Sequence, residues 1–122
     1  MLSERIIDVI EEADYNVIHG NGNEYTFQKY SPAGQHFSIT VDTGNNLNEF
    51  TYNIYQLWES FDCSYETYLW LDNTGHGING APSDMKEIYE DMEICKQYIL
   101  DLHNIVMAYV CENGAENEKQ SG

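Results

Sequence analysis

Gly75-His76-Gly77-Ile78-Asn79-Gly80 has the G-x-G-x-x-G spacing by which a glycine-rich turn brings backbone amides against a pyrophosphate. Such a site also needs a strand before the loop, a parallel strand after it and an acid that holds the ribose. Here the next segment reads as the terminal helix, and no strand follows. Asp72, Asp84 and Glu87 flank the loop, so a phosphate would meet three carboxylates. The loop reads as a connector. His19, His36, His76 and His103 are scattered over a turn, a strand start, a loop and a helix, without H-x-x-x-H spacing. Cys63, Cys95 and Cys111 are odd in number and lack metal-ligand spacing; Cys63 has no basic neighbour to make it a nucleophile. Ser64 and Ser83 read as helix caps. Glu87, Glu90, Asp91 and Glu93 are dense on one helix, but carboxylates along a helix point outward instead of converging on an ion, and no calcium-loop pattern is present. The sequence predicts a non-enzymatic protein with no catalytic residue, no cofactor and no metal.

The remaining chemistry is charge. The chain has 21 acidic and 5 basic residues, a formal charge of −16 over 122 residues. This balance argues against direct binding to nucleic acid or to an anionic membrane, because phosphates would be repelled. Glu4, Asp8, Glu11 and Glu12 form one row, and Asp84, Glu87, Glu90 and Asp91 another. Glu49, Glu59, Asp62 and Glu66 lie between them. Carboxylates three or four positions apart on a helix are about 5–6 Å apart at Cβ, near the repeat of backbone phosphates. If the rows share one side of the fold, they present a phosphate-like track to a cationic groove.

A scaffold for these rows follows from the apolar periods. Ser3 caps a first helix whose stripe is Leu2, Ile6, Val9, Ile10 and Ala13. Asn16–His19 is a short strand, closed by Gly20-Asn21-Gly22-Asn23. Tyr25, Phe27 and Lys29 alternate with polar residues, as do Phe37, Ile39 and Val41. A second helix runs from Leu47 to about Asp62. The segment from Ser64 to Asp72 reads as a short helix capped by Ser64, with an edge strand over Tyr68–Leu71 as the other reading. A long helix spans roughly Ser83 to Cys111, with Met85, Ile88, Met92, Cys95, Ile99, Leu102, Val106 and Tyr109 on its stripe. The sequence therefore predicts an α+β fold: a small three-stranded antiparallel sheet covered on one face by helices, with a long C-terminal helix. Residues 1–112 read as one domain and 113–122 as a polar tail. Neither a signal peptide nor a membrane-spanning run is legible, so a cytoplasmic location is expected. The long stripe predicts packing inside the chain, with dimerisation through the last helix as the alternative.

Tyr30-Ser31-Pro32-Ala33-Gly34-Gln35-His36-Phe37-Ser38 resembles the S-P-A-G-[EQ]-D-F-S core of a family of small acidic proteins from plasmids, phages and other mobile elements of Gram-positive gut bacteria. The likeness continues through Glu59-Ser60-Phe61-Asp62, Tyr68-Leu69-Trp70-Leu71 and Ala81-Pro82-Ser83, over roughly residues 24–110. His36 stands where the family usually has aspartate. The resemblance implies no catalytic residue and no cofactor. It implies a mobile-element setting, in which small acidic proteins often act as anti-CRISPR or anti-restriction inhibitors that mimic DNA. The expected partner is then a basic nucleic-acid-binding protein, a CRISPR effector or a restriction enzyme. The contact residues would be Glu4, Asp8, Glu11, Glu12, Asp84, Glu87, Glu90 and Asp91. An acidic interaction module that dimerises through its C-terminal helix is the other reading.

Overall fold

The computed structural model describes residues 2–69 and 84–114. The order of elements is α1 (Glu4–Glu12), β1 (Asn16–His19), β2 (Glu24–Tyr30), β3 (His36–Asp42), α2 (Leu47–Ser60), α3 (Cys63–Leu69) and α4 (Met85–Asn113). The strands form an antiparallel meander in the order β1-β2-β3. This is the expected α+β arrangement. Residues 70–83, which hold the glycine-rich loop and the end of the supposed edge strand, lie outside the described residues, as does the tail from residue 115.

Local chemistry explains the elements. Ser3 accepts from the Ile6 amide with its hydroxyl at 3.4 Å and starts α1. Gly22 (φ 57°) makes the tight β1–β2 turn, whose ends are tied by Gly20 N–H to Glu24 C=O at 2.8 Å. Asn46 caps α2 by accepting from the Glu49 amide at 3.0 Å. α3 is capped by Asp62, whose Oδ1 accepts from the amides of Ser64 and Tyr65 at 2.9 and 3.1 Å. The expected cap, Ser64, instead lies inside the helix. Asp84 caps α4 by accepting from the Lys86 amide at 2.8 Å, and Gly114 (φ 90°) ends it two residues beyond the expected limit.

The register decides which side chains go inside. Tyr25 pairs with Val41, Phe27 with Ile39 and Lys29 with Phe37, so these six share the inner sheet face. Tyr25, Phe27 and Val41 are buried there against Ile6, Ile10, Phe50, Ile54, Ile99, Leu102 and Val106 from the helices. The opposite face carries Thr26, Gln28, Ser38 and Thr40, and the two threonine hydroxyls bond at 2.9 Å. The α4 stripe is buried from Ile88 to Tyr109, and only its first member, Met85, is exposed. Its apolar surface is thus consumed inside the chain, as the spacing predicts.

Lys29 is a cation on an apolar face, and the fold accommodates it specifically. Its Nζ lies 4.6 Å from the ring centres of both Tyr15 and Tyr98 and donates to the Ala13 carbonyl at 3.0 Å. The Tyr15 hydroxyl donates to the Tyr98 carbonyl at 2.6 Å, which fixes the pair of rings. Burial, then Asp101 and Tyr98, push the Tyr15 phenol well above its ordinary range, so it stays a donor. Lys29→Met keeps the length of the side chain and removes both ring contacts and the hydrogen bond. We expect a loss of roughly 2 kcal/mol, read by urea unfolding.

Candidate acidic interface

α1 lies beside the last turns of α4. Arg5 donates to Asn113 Oδ1 at 3.0 Å, and a groove between the helices is lined by Arg5, Asp8, Val9, Ile105, Ala108, Tyr109, Glu112 and Asn113. Glu87, Glu90, Ile94, Asp101, Ile105, Ala108 and Glu112 follow one another along α4 at steps of three, four or seven residues. They therefore share one side of the helix. The exposed carboxylates of the first turns of α4 accordingly lie on the side of the helix against which α1 docks. Between Glu90 and Asn113 the helix rises by roughly 35 Å, at about 1.5 Å per residue.

Seven of the eight expected contact residues are exposed: Glu4, Asp8, Glu11, Glu12, Asp84, Glu87 and Glu90. Asp84 also caps α4, so one of its oxygens is committed to the backbone. The expectation for Asp91 is overturned. Asp91 is 4% exposed and points into the protein. Its Oδ2 accepts from the Ser31 hydroxyl and from Gln35 Nε2, both at 2.6 Å, and its Oδ1 accepts from the Ala33 amide at 3.3 Å. The cause is the β2–β3 turn, Ser31-Pro32-Ala33-Gly34-Gln35. Gly34 (φ 89°) closes this turn, and the Ser31 hydroxyl accepts from the Gln35 amide at 3.0 Å. Three donors converge on one carboxylate, which is what a buried charge requires. Asp91 is a structural anchor, unavailable to a partner.

Three cations make contacts that involve neutral groups. Lys29 lies between its two tyrosine rings, Lys96 Nζ is 5.1 Å from the Trp58 ring centre, and Arg5 bonds Asn113. The middle acids divide: Glu49 returns to its own cap, with Oε2 accepting from Asn46 Nδ2 at 3.4 Å, while Glu59 is exposed. Asp62 caps α3, and Glu66 lies half-buried beside α4, where burial and then Asp62 raise its carboxyl above the ordinary value.

A polar cleft of about 600 Å³ lies between β3 and α2, lined by Asn23, Asp42, Asn45, Glu49 and Asn53 among others. Its carboxylates already accept from the backbone: Asp42 Oδ1 from the Gly44 amide at 2.7 Å, and Glu49 Oε1 from the Asn45 amide at 3.4 Å. Among the described residues, no group of three or more His, Cys, Asp or Glu side chains is placed to hold a metal ion. No helix of the described residues is long and apolar enough to cross a membrane.

The thiols differ by environment. Cys111 is exposed, Cys63 is half-buried and Cys95 is buried. Burial raises the Cys63 thiol, with Lys96 opposing. Burial and Asp91 push Cys95 up to about 12, leaving on the order of one thiolate in ten thousand at pH 8. With a thiol reagent at that pH, Cys111 should react first and Cys63 more slowly. Cys95 should react only as fast as the protein opens, as followed by mass spectrometry of the labelled peptides.

Comparison with protein-family models, with curated proteins and with solved structures finds no match for this chain.

Proposed function

We propose that this protein is a non-enzymatic acidic inhibitor from a mobile genetic element. It occupies a cationic nucleic-acid-binding surface, such as that of a CRISPR effector or a restriction enzyme, in place of the nucleic acid. The observation that carries this reading is the distribution of charge along one side of α4. Glu87 and Glu90 stand exposed at one end, and the exposed Glu4, Asp8, Glu11 and Glu12 belong to α1, which docks beside the C-terminal half. Arg5 meets Asn113 and Tyr15 meets Tyr98, so α1 runs back along α4 and extends the negative charge from the far end of the helix toward Glu90. A groove shaped to follow phosphates meets negative charge along this side. Lys29 and Lys96 are turned to aromatic rings, which supports the reading. The likeness of Tyr30–Ser38 to mobile-element proteins supports the same setting.

The mechanism is competition. The inhibitor is drawn in by long-range attraction, so its association is fast and falls with salt. Capture of a basic nuclease from host lysate at about 50 mM salt, lost by about 200 mM and displaced by duplex DNA, is the expected result. Capture insensitive to both salt and DNA would overturn the reading.

A further inference from the structure

β3 is an outer strand of the sheet, and among the described residues no strand pairs with its free edge. The hydrogen bonds at the two ends of the β2–β3 ladder fix which backbone groups face that edge. Ser31 N–H donates to Gln35 C=O at 2.8 Å and Thr43 N–H to Asn23 C=O at 2.9 Å, in the register that joins Phe27 to Ile39. Backbone groups in an antiparallel strand point alternately to one neighbour and to the other. The odd-numbered residues of β3 therefore bond β2, and His36, Ser38, Thr40 and Asp42 turn N–H and C=O outward. Asn53 Nδ2, from α2, donates to the Asp42 carbonyl at 2.7 Å and closes the edge at that end. Two cavities, of about 280 and 600 Å³, border the rest: residues 35–39 line the first and residues 40–42 the second. Each is lined from both faces of β3, by Phe37 and Ser38 or by Val41 and Thr40, and by no described residue of β2. Only space beside the free edge meets both conditions. The edge also lacks the lysine, proline or bulge that commonly blunts such strands.

We propose that this edge receives an extended, basic segment of the partner protein as a fourth, antiparallel strand. Ser38 and Thr40 can each exchange a pair of backbone hydrogen bonds with it. Side chains of the added strand that share the inner face lie opposite Phe37, Ile39 and Val41. Charge complementarity decides their type. Glu66 borders the smaller cavity, and Glu49 and Asp42 the larger, so lysine or arginine suits the positions opposite Phe37 and Val41. Asp42 and Glu49 each accept from a turn amide, which leaves their negative charge in place. The aliphatic stems pack on Phe61 at one end and on Leu57 at the other. An apolar residue belongs between them, opposite Ile39. A second copy of this chain is a poor occupant, because two molecules of charge −16 repel. That the strand belongs to an inhibited nuclease rests on the proposed function; the edge's preference for a basic strand does not.

The probe is acetyl-Lys-Thr-Val-Thr-Lys-amide, added to the full chain at about pH 7 and followed by NMR and amide hydrogen exchange. In the free protein the Ser38 and Thr40 amides should exchange at least tenfold faster than those of Ile39 and Val41. The probe should bind saturably and slow the Ser38 and Thr40 amides at least tenfold. N-methylation of its two threonine amides, or glutamate in place of both lysines, should weaken binding at least tenfold. Ser38→Pro removes one outward N–H at a sheet edge, where proline is tolerated, and should also weaken binding at least tenfold. Glu49→Gln keeps an acceptor for the α2 cap and should weaken the probe at least threefold. The thermal midpoints of both variants are measured alongside. Slow exchange of Ser38 and Thr40 before the probe is added would overturn the proposal, as would equal binding of the N-methylated or the glutamate peptide. Protection that rises with protein concentration alone would overturn it in favour of a second copy. The peptide assay involves no nuclease, so it can fail while capture sensitive to salt and DNA stands, and the reverse.

Discussion

Asp91→Ala should lower stability by roughly 3–5 kcal/mol, against a total of about 5–15 for a domain of this kind. The alanine leaves the Ser31 hydroxyl, Gln35 Nε2 and the Ala33 amide without their acceptor. The first two are buried and cannot fully recover with water. Asp91→Asn keeps the shape but replaces one acceptor oxygen with a donor, which faces other donors; roughly 2 kcal/mol should go. Urea unfolding of the three proteins gives the comparison. A loss below about 1 kcal/mol for the alanine variant would mean that the turn finds other partners. For the same reason a charge reversal at Asp91 reports on folding and says nothing about a partner.

The second large effect is on association. Glu87→Lys with Glu90→Lys takes the formal charge from −16 to −12, since each reversal adds two units. Partner affinity should fall at least tenfold, and the salt dependence of binding should flatten. Both side chains are exposed, so stability should change by no more than about 1 kcal/mol. Glu87 loses a favourable place in the first turn of α4, while the whole molecule loses some self-repulsion. Glu11→Lys with Glu12→Lys on α1 is a matched pair. There the helix end is negative, so lysine suits it better than glutamate, and binding should fall without cost to the fold. Undiminished inhibition by either folded variant would refute the competition mechanism.

Most of the scaffold is legible in the sequence because its signals are local. Phe37, Ile39 and Val41 alternate because every second residue of β3 meets the helices, and the α4 stripe repeats because the helix turns every 3.6 residues. Asp91 is missed because its burial depends on donors 56–60 residues away, which no periodicity encodes. A hint exists: Asp91, Cys95, Tyr98 and Leu102 are spaced by four, three and four, so the carboxylate stands on a track with inward-facing neighbours. Lys29 is likewise placed on the inner face by its alternation with Tyr25 and Phe27, but its two tyrosine partners come from outside its own strand. Composition shows the excess of acid. It does not show which acids the backbone claims: Asp62 and Asp84 serve as caps, leaving Glu87 and Glu90 free of that duty.

The tie between the β2–β3 turn and Asp91 also orders events in time. The hairpin can form from neighbours in the chain, whereas its anchor must wait for a helix that begins some fifty residues later. Closing so long a loop is slow relative to local pairing, so the anchor should form after the rate-limiting step. Its removal should then leave the refolding rate nearly unchanged and speed unfolding by roughly two to three and a half orders of magnitude, at about 1.4 kcal/mol per factor of ten. The cluster of three donors on one carboxylate thus acts as a latch, which sets the lifetime of the folded state more than the speed of reaching it.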